Sequence, residues 1–243
     1  MLGILQLDLL IGLLIVMTSG LVRGFTGFAG ALVNVPLLTL LWGPVEAIAI
    51  ATLTGIASQV QLSAVTFRKT RWGEVIPLSV AALIFTPVGA IALVHADPQL
   101  IRRVIGALVA AGALLMMIGW VWRGQRNWPV SALVGALCGG MQGMSGINGP
   151  PLIAYMLAAP ELPDVQRANI IAAIGLMIAV MFFTLLLNGA FGWTTVGRAL
   201  ILFPATLLGT WAGNWAFQRA PQAIYRKVAL GLLIITGLAV LVF

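Results

Sequence analysis

Charge is what this chain has least of. Asp, Glu, Lys and Arg make up 8% of its 243 residues, against about a quarter in a soluble globular domain. So few charges cannot cover a soluble surface. Cysteine is almost missing as well. Cys138 is the single one, which excludes an internal disulfide and a cysteine metal cluster; it reads as a small packing residue. Histidine occurs once, as His95. No acidic residue falls clearly in the middle of an apolar run, so a carboxylate proton relay is not evident. Strict apolar–polar alternation is also missing, which excludes a transmembrane barrel. No cofactor and no metal is expected.

What is present is long apolar sequence. The composition is 61% hydrophobic with a mean hydropathy of +1.08. The apolar runs recur from end to end, which makes the chain an all-α polytopic membrane protein. Ten helical segments are predicted, near 5–23, 29–42, 44–66, 74–94, 99–122, 129–142, 149–160, 164–188, 194–217 and 221–242. The second and seventh are too short to cross ~30 Å of hydrocarbon comfortably. No Lys or Arg precedes the first run and no A-x-A-like site follows it, so that segment is expected to be retained rather than cleaved. Trp42, Trp72, Trp120, Trp122, Trp128 and Trp193 sit at segment ends, where an aromatic belt belongs.

The chain repeats itself. RGFTGFAG at 23–30 aligns with QGMSGING at 142–149, an offset of 119. TRWGEV at 70–75 resembles FGWTTV at 191–196, an offset of 121, and ADPQLIRRV at 96–104 resembles RAPQAIYRKV at 219–228, with Pro98 on Pro221, an offset of 123. Three anchors in order, with slowly rising offsets, indicate a duplicated five-segment unit: 1–124 and 125–243, within one transmembrane domain. The link RKTR at 68–71 is basic, whereas its counterpart NGAFGW at 188–193 carries no charge. Equivalent loops of opposite basic content belong on opposite membrane faces. The repeat is therefore expected to be inverted, as in many transporters.

Counting charges by face gives nine basic residues on one side: Arg68, Lys69, Arg71, Arg123, Arg126, Arg167, Arg219, Arg226 and Lys227. Glu74, Glu161 and Asp164 share that face, leaving +6; on the other, Arg102, Arg103 and Arg198 cancel against Asp8, Glu46 and Asp97. The first face is expected to be cytoplasmic, with both termini periplasmic. Most of the net charge of +7 is thus explained by membrane orientation, and nucleic acid is not an expected partner.

The two aligned stretches are glycine-rich breaks inside apolar sequence. Lipid cannot satisfy the backbone groups a break exposes, so each break must face protein or a water-filled cavity. The helix that follows points its first amides, and the positive end of its dipole, back at the break. Two inverted copies would bring two such ends together near the midplane, with the second and seventh segments as broken or re-entrant helices. That arrangement suits an anion. The candidate substrate-binding residues are Arg23, Gly24, Thr26, Gly27, Asn34 and Gln59 from the first half, and Gln142, Gly143, Ser145, Gly146 and Asn148 from the second. Arg23, assigned to the break, supplies a full charge with no acid near it in sequence, Thr26 and Ser145 supply hydroxyl donors, and the asparagines supply amides. The glycines also fit close helix packing, and the two hydroxyls also fit back-bonding to their own helices. His95, Asp97, Glu46 and Glu161 read as caps and loop residues.

GFTGFAGALVNVPLL followed by LWGP, together with GMSGINGPPL, resembles the TauE/SafE sulfite exporter family of membrane permeases, over nearly the whole chain. The resemblance implies transport of small sulfur-containing anions, sulfite or organosulfonates such as sulfoacetate, across a bacterial inner membrane. By position its motif falls on Gly24, Thr26, Gly27, Gly30 and Pro36, and again on Gly143, Ser145, Gly146, Gly149 and Pro150. The first copy has threonine where serine is common in the family. The expected function is an anion exporter and not an enzyme, with another small anion or a neutral solute as the alternative. GMSG at 143–146 also fits the G-x-S-G pattern of a serine nucleophile, but His95 stands at a segment end away from Ser145, leaving an intramembrane serine protease as a remote reading. Partners are a small anion and the bilayer; the oligomeric state is open.

Overall fold

In the computed structural model, residues 2–118, 122–125, 127–147 and 149–219 are described. They form nine α-helices and one 3₁₀ turn, with no strand among the described residues. In chain order the helices are α1 (Leu2–Thr26), α2 (Gly30–Trp42), α3 (Pro44–Thr66), α4 (Trp72–His95), α5 (Pro98–Met117), α6 (Trp128–Ser145), α7 (Gly149–Met156), α8 (Pro163–Leu187) and α9 (Trp193–Arg219). The 3₁₀ turn, Phe67–Lys69, joins α3 to α4. The tenth expected segment, 221–242, lies outside the described residues, as do Trp120, Arg126, Asn148, Arg226 and Lys227. Five helices are long and apolar enough to cross a membrane: α1, α3 with its 3₁₀ turn, α4, α8 and α9.

Local chemistry sets the helix starts. Pro44 and Pro163 stand in the first turns of α3 and α8, where a missing N–H costs nothing. Asn127 caps α6 by accepting from the Val130 amide at 3.1 Å. Trp42, Trp72, Trp128 and Trp193 do stand at helix ends.

Two helix ends differ from the sequence reading. Expected to stop near 23 and 142, α1 and α6 instead run on to Thr26 and Ser145. Arg23 and Gln142 are therefore helical residues one turn before the breaks, not members of them. Each helix continues because its last side chain bonds back into its own turn, and each ends where a glycine takes up a left-handed conformation. The first break is only three residues long, 27–29, and the second opens at Gly146.

Small residues decide which helices lie closest. On α1, Gly20 and Gly24 press against the α9 backbone around Thr206 and Thr210. On α6, Gly135, Gly139 and Gly143 do the same against Leu78, Ala82 and Thr86 of α4. A Cβ on Gly24 would collide with the Thr210 carbonyl oxygen, and one on Gly143 with that of Thr86. Without a hydrophobic drive inside lipid, this close approach is what lets helices associate. Between these two pairs stand α3 and α8, touching each other, with α3 also against α9 and α8 also against α4. They contribute Ile48, Ile50, Leu62, Ile170, Ile174 and Met177 to the buried core.

Ion pairs tie the connections together at both ends of α3. At its C-terminal end Lys69 of the 3₁₀ turn meets Asp164 in the first turn of α8 at 2.7 Å, and Arg71, just before α4, meets Glu161 of the α7–α8 connection at 2.7 Å. At its N-terminal end Glu46 accepts from Arg198 of α9 at 2.6 Å, with the guanidinium 4.8 Å from the Trp42 ring centre. Arg167, counted above among the basic residues of the first face, does not stand on a membrane face. It lies in the second turn of α8, buried, donating to the Gly24 carbonyl at 2.6 Å and to Asn214 Oδ1 at 3.0 Å, with its guanidinium 4.1 Å over the Phe217 ring. A cation bonded inside the bundle says nothing about membrane orientation, so the charge count on that face falls from +6 to +5.

Candidate functional site

The two breaks are built alike. At the first, the Gly27 amide donates to the Arg23 carbonyl at 2.7 Å; at the second, the Gly146 amide donates to the Gln142 carbonyl at 2.8 Å. Thr26 Oγ1 donates to the Val22 carbonyl at 2.8 Å, and Ser145 Oγ to that of Met141 at 2.7 Å. The same oxygens accept across the break, Thr26 from the Phe28 and Ala29 amides at 3.2 and 3.1 Å, Ser145 from the Ile147 amide at 3.2 Å. Gly27 and Gly146 have φ of +90° and +69°, a region an L side chain enters only with strain. Both hydroxyls back-bond: Thr26 and Ser145 donate to carbonyls of their own helices, and their oxygens hold the broken backbone.

A small cavity lies between the breaks. It is lined by Arg23 of α1, Phe28 of the first break, Ala31 and Asn34 of α2, Thr52 of α3, Gln142 of α6, Gly146 of the second break and Ile174 and Ile178 of α8. Its volume is about 20 Å³, room for roughly one water-sized guest. Both halves of the chain therefore meet at one point, as do both interrupted helices.

The polar groups around this cavity are under-bonded. Arg23 is 7% exposed, and among the described residues no carboxylate pairs with it. Its Nη2 donates to Gln59 Oε1 at 2.8 Å, while its Nε has no partner. Gln142 Oε1 and Asn34 Oδ1 are likewise buried without partners. Burying an uncompensated cation and orphaned amides is unfavourable by several kcal/mol. Turned about its last torsion, each amide presents two N–H donors instead. The N-terminus of α2 has no side-chain cap, so its first amides add to the positive field there.

The structure thus brings together Arg23, Asn34, Gln142 and Gly146, with Gln59 directly behind Arg23. It does not bring Gly24 or Gly143 to the cavity, because both face a neighbouring helix backbone. A Cβ on Gly27 would point toward Arg167 and Ile171, so Gly27 shapes the break without lining the cavity. Asn148 is outside the described residues. Thr52 was missed, since one threonine in an apolar helix carries no pattern; its hydroxyl donates to Ile48 O at 2.7 Å. Arg167 was also missed. It bonds the carbonyl of Gly24 at the end of α1 and so positions the first break from α8. The proximity of RAN at 167–169 to the predicted start of a segment hid its burial. His95 Nδ1 contacts Ile91 O at 2.9 Å, so among the described residues Ser145 has no histidine base. No group of three or more potential metal ligands occurs among them either.

Five apolar spans among the described residues, three of which (α1, α3 and α8) help line a small hollow beside a buried cation, mark a multi-pass helical membrane protein. The Sulfite exporter TauE/SafE family model matches residues 12–240, nearly the whole chain, and the chain belongs to that family. No curated protein and no solved structure matches at a significant level.

Proposed function

We propose that the chain exports sulfite or a small organosulfonate such as sulfoacetate, binding the anion between the two breaks. One observation carries this reading: a buried arginine without a carboxylate lines a hollow shared by both interruptions. A tetrahedral or pyramidal oxyanion would neutralise Arg23 and accept from the turned amides of Asn34 and Gln142 together. At about 20 Å³ the hollow is smaller than either anion, and sulfite needs less widening than a sulfonate with a carbon arm.

The halves 1–124 and 125–243 act as inverted repeats. Helix contacts support this: α1 lies on α9 as α6 lies on α4, and α3 meets α9 as α8 meets α4. Exchanging the halves exchanges these contacts. Rocking one half on the other would open the hollow to alternate sides. The protein would sit in a bacterial inner membrane with both termini periplasmic, since the basic 3₁₀ turn Phe67–Lys69 then faces the cytoplasm. The inside-negative potential assists anion exit by ~2.3 kcal/mol per charge per 100 mV, so a potential-driven uniport is sufficient. Purified protein in vesicles should pass sulfite faster when the starting compartment is made negative. Rates indifferent to the potential would exclude this mechanism, and failure to carry sulfite, sulfoacetate or related sulfonates would exclude the substrate class.

A further inference from the structure

A hydrogen-bonded side chain, Gln59, joins the arginine of the small hollow to the wall of a much larger one. Between α3, α8 and α9 runs an open groove of about 1030 Å³. Gln59 and Ile178 are on its wall, and Ile178 also lines the small cavity. Gln59 reaches through: Oε1 accepts from Arg23 Nη2 at 2.8 Å, while Nε2 donates to the Ile171 carbonyl on α8 at 2.8 Å and to Ser63 Oγ at 2.9 Å. The orientation of the amide is fixed by its partners, because a guanidinium only donates and a carbonyl only accepts. Room for it comes from Gly175 on α8. A Cβ there would stand 2.5 Å from Gln59 Nε2 and 2.9 Å from its Cδ. From Gln59 a polar stripe continues down one helix face through Ser63 and Thr66, and on to Thr70 beyond the helix end. It leads to the end of the groove where Lys69 and Arg71 lie.

We infer that Gln59 is an intramolecular stand-in for the anion and the partition between the binding cavity and the groove: its carbonyl holds Arg23 until the substrate displaces it. The inference rests on the proposed anion site but adds a residue role and a path to it. A neutral carbonyl is the right competitor, because it satisfies one guanidinium N–H yet is weaker than an oxyanion, whose bond to arginine is charge-assisted. The bridge to Ile171 couples Arg23 on α1 to α8 in the other half, so displacement also releases this one link between the halves, while Arg167 keeps its bond to Gly24.

Two measurements on the full-length protein in detergent and in vesicles test this. The first is modification of Arg23 by an arginine-specific dicarbonyl, mapped by mass spectrometry, which requires no transport. Gln59→Ala should raise it about tenfold, the worth of one hydrogen bond to a charged group, and Gly175→Ala should raise it less. Gln59→Glu should suppress it by pairing the cation permanently. The second is sulfite flux: KM should fall about tenfold in Gln59→Ala, and flux should be abolished in Gln59→Glu with thermal stability kept. Equal Arg23 reactivity in the wild type and in folded Gln59→Ala protein would overturn the inference. Increased reactivity that sulfite does not protect against would uphold the partition and remove the anion from the site.

Discussion

The two breaks share a backbone and differ in chemistry. Residues 26–30 and 145–149 end a helix with the same amide–carbonyl bond, the same hydroxyl back-bond and the same left-handed glycine. The side chain one turn earlier is Arg23 in the first copy and Gln142 in the second. Symmetry therefore explains how the helices are interrupted, and asymmetry is left to explain what is bound. On the proposed reading, a single cation between two equivalent breaks suits one anion, whereas two would repel each other when it is empty.

Exchanging those two side chains is the most severe way to break this comparison. Arg23→Gln should reduce sulfite transport at least a hundredfold, since among the described residues no other cation lines the cavity. The double variant Arg23→Gln with Gln142→Arg keeps one charge there but moves it to α6, away from Gln59. Partial recovery of flux would show that charge alone matters. No recovery, with the protein still folded, would show that the α1 position and its Gln59 contact are needed.

How far the sequence foretold this depends on what kind of signal each feature leaves. The nine described helices were legible because apolar runs are long, and the duplication was read from glycine, proline and tryptophan recurring at a near-constant offset. The breaks were placed, yet their edges were misjudged by three residues. Glycines at 24 and 143 look like helix breakers in sequence; in the fold they are contact points against α9 and α4. Inside a tightly packed bundle a glycine is cheap in a helix and makes close approach possible, so its packing role overrides its propensity. Arg23, Asn34 and Gln142 were legible as candidates because polar residues are rare here. Arg167 was not, because a cation near a segment end resembles any loop cation until the neighbouring carbonyl and ring are in view.

The packing glycines should matter equally in both halves. Gly24→Ala and Gly143→Ala each place a methyl group on an opposing carbonyl oxygen, and overpacking of this kind costs about 1–3 kcal/mol. Thermal unfolding in detergent should show a loss of similar size for the two. If only one were affected, the α1–α9 and α4–α6 contacts would not be equivalent. The left-handed glycines should be less alike. In Gly27→Ala the new methyl stands 3.1 Å from Arg167 Cγ, in Gly146→Ala 3.3 Å from Ile48 Cγ2, and each adds roughly 1–2 kcal/mol of backbone strain. Gly27→Ala should be the worse, because Arg167 is itself fixed by two hydrogen bonds.

The mildest test asks what the two hydroxyls are for. Thr26→Val keeps the shape of the side chain and deletes the oxygen that accepts from the Phe28 and Ala29 amides. Ser145→Ala deletes the one that accepts from Ile147. Losing a capping oxygen costs about 1 kcal/mol. If the hydroxyls serve the backbone, both variants should lose a few degrees of melting temperature with sulfite KM almost unchanged. A KM raised tenfold at unaltered stability would return Thr26 and Ser145 to the substrate. Arg23, the side-chain amides and the α2 amides would then share the anion with two more donors, and the two breaks would be alike in chemistry as well as in shape.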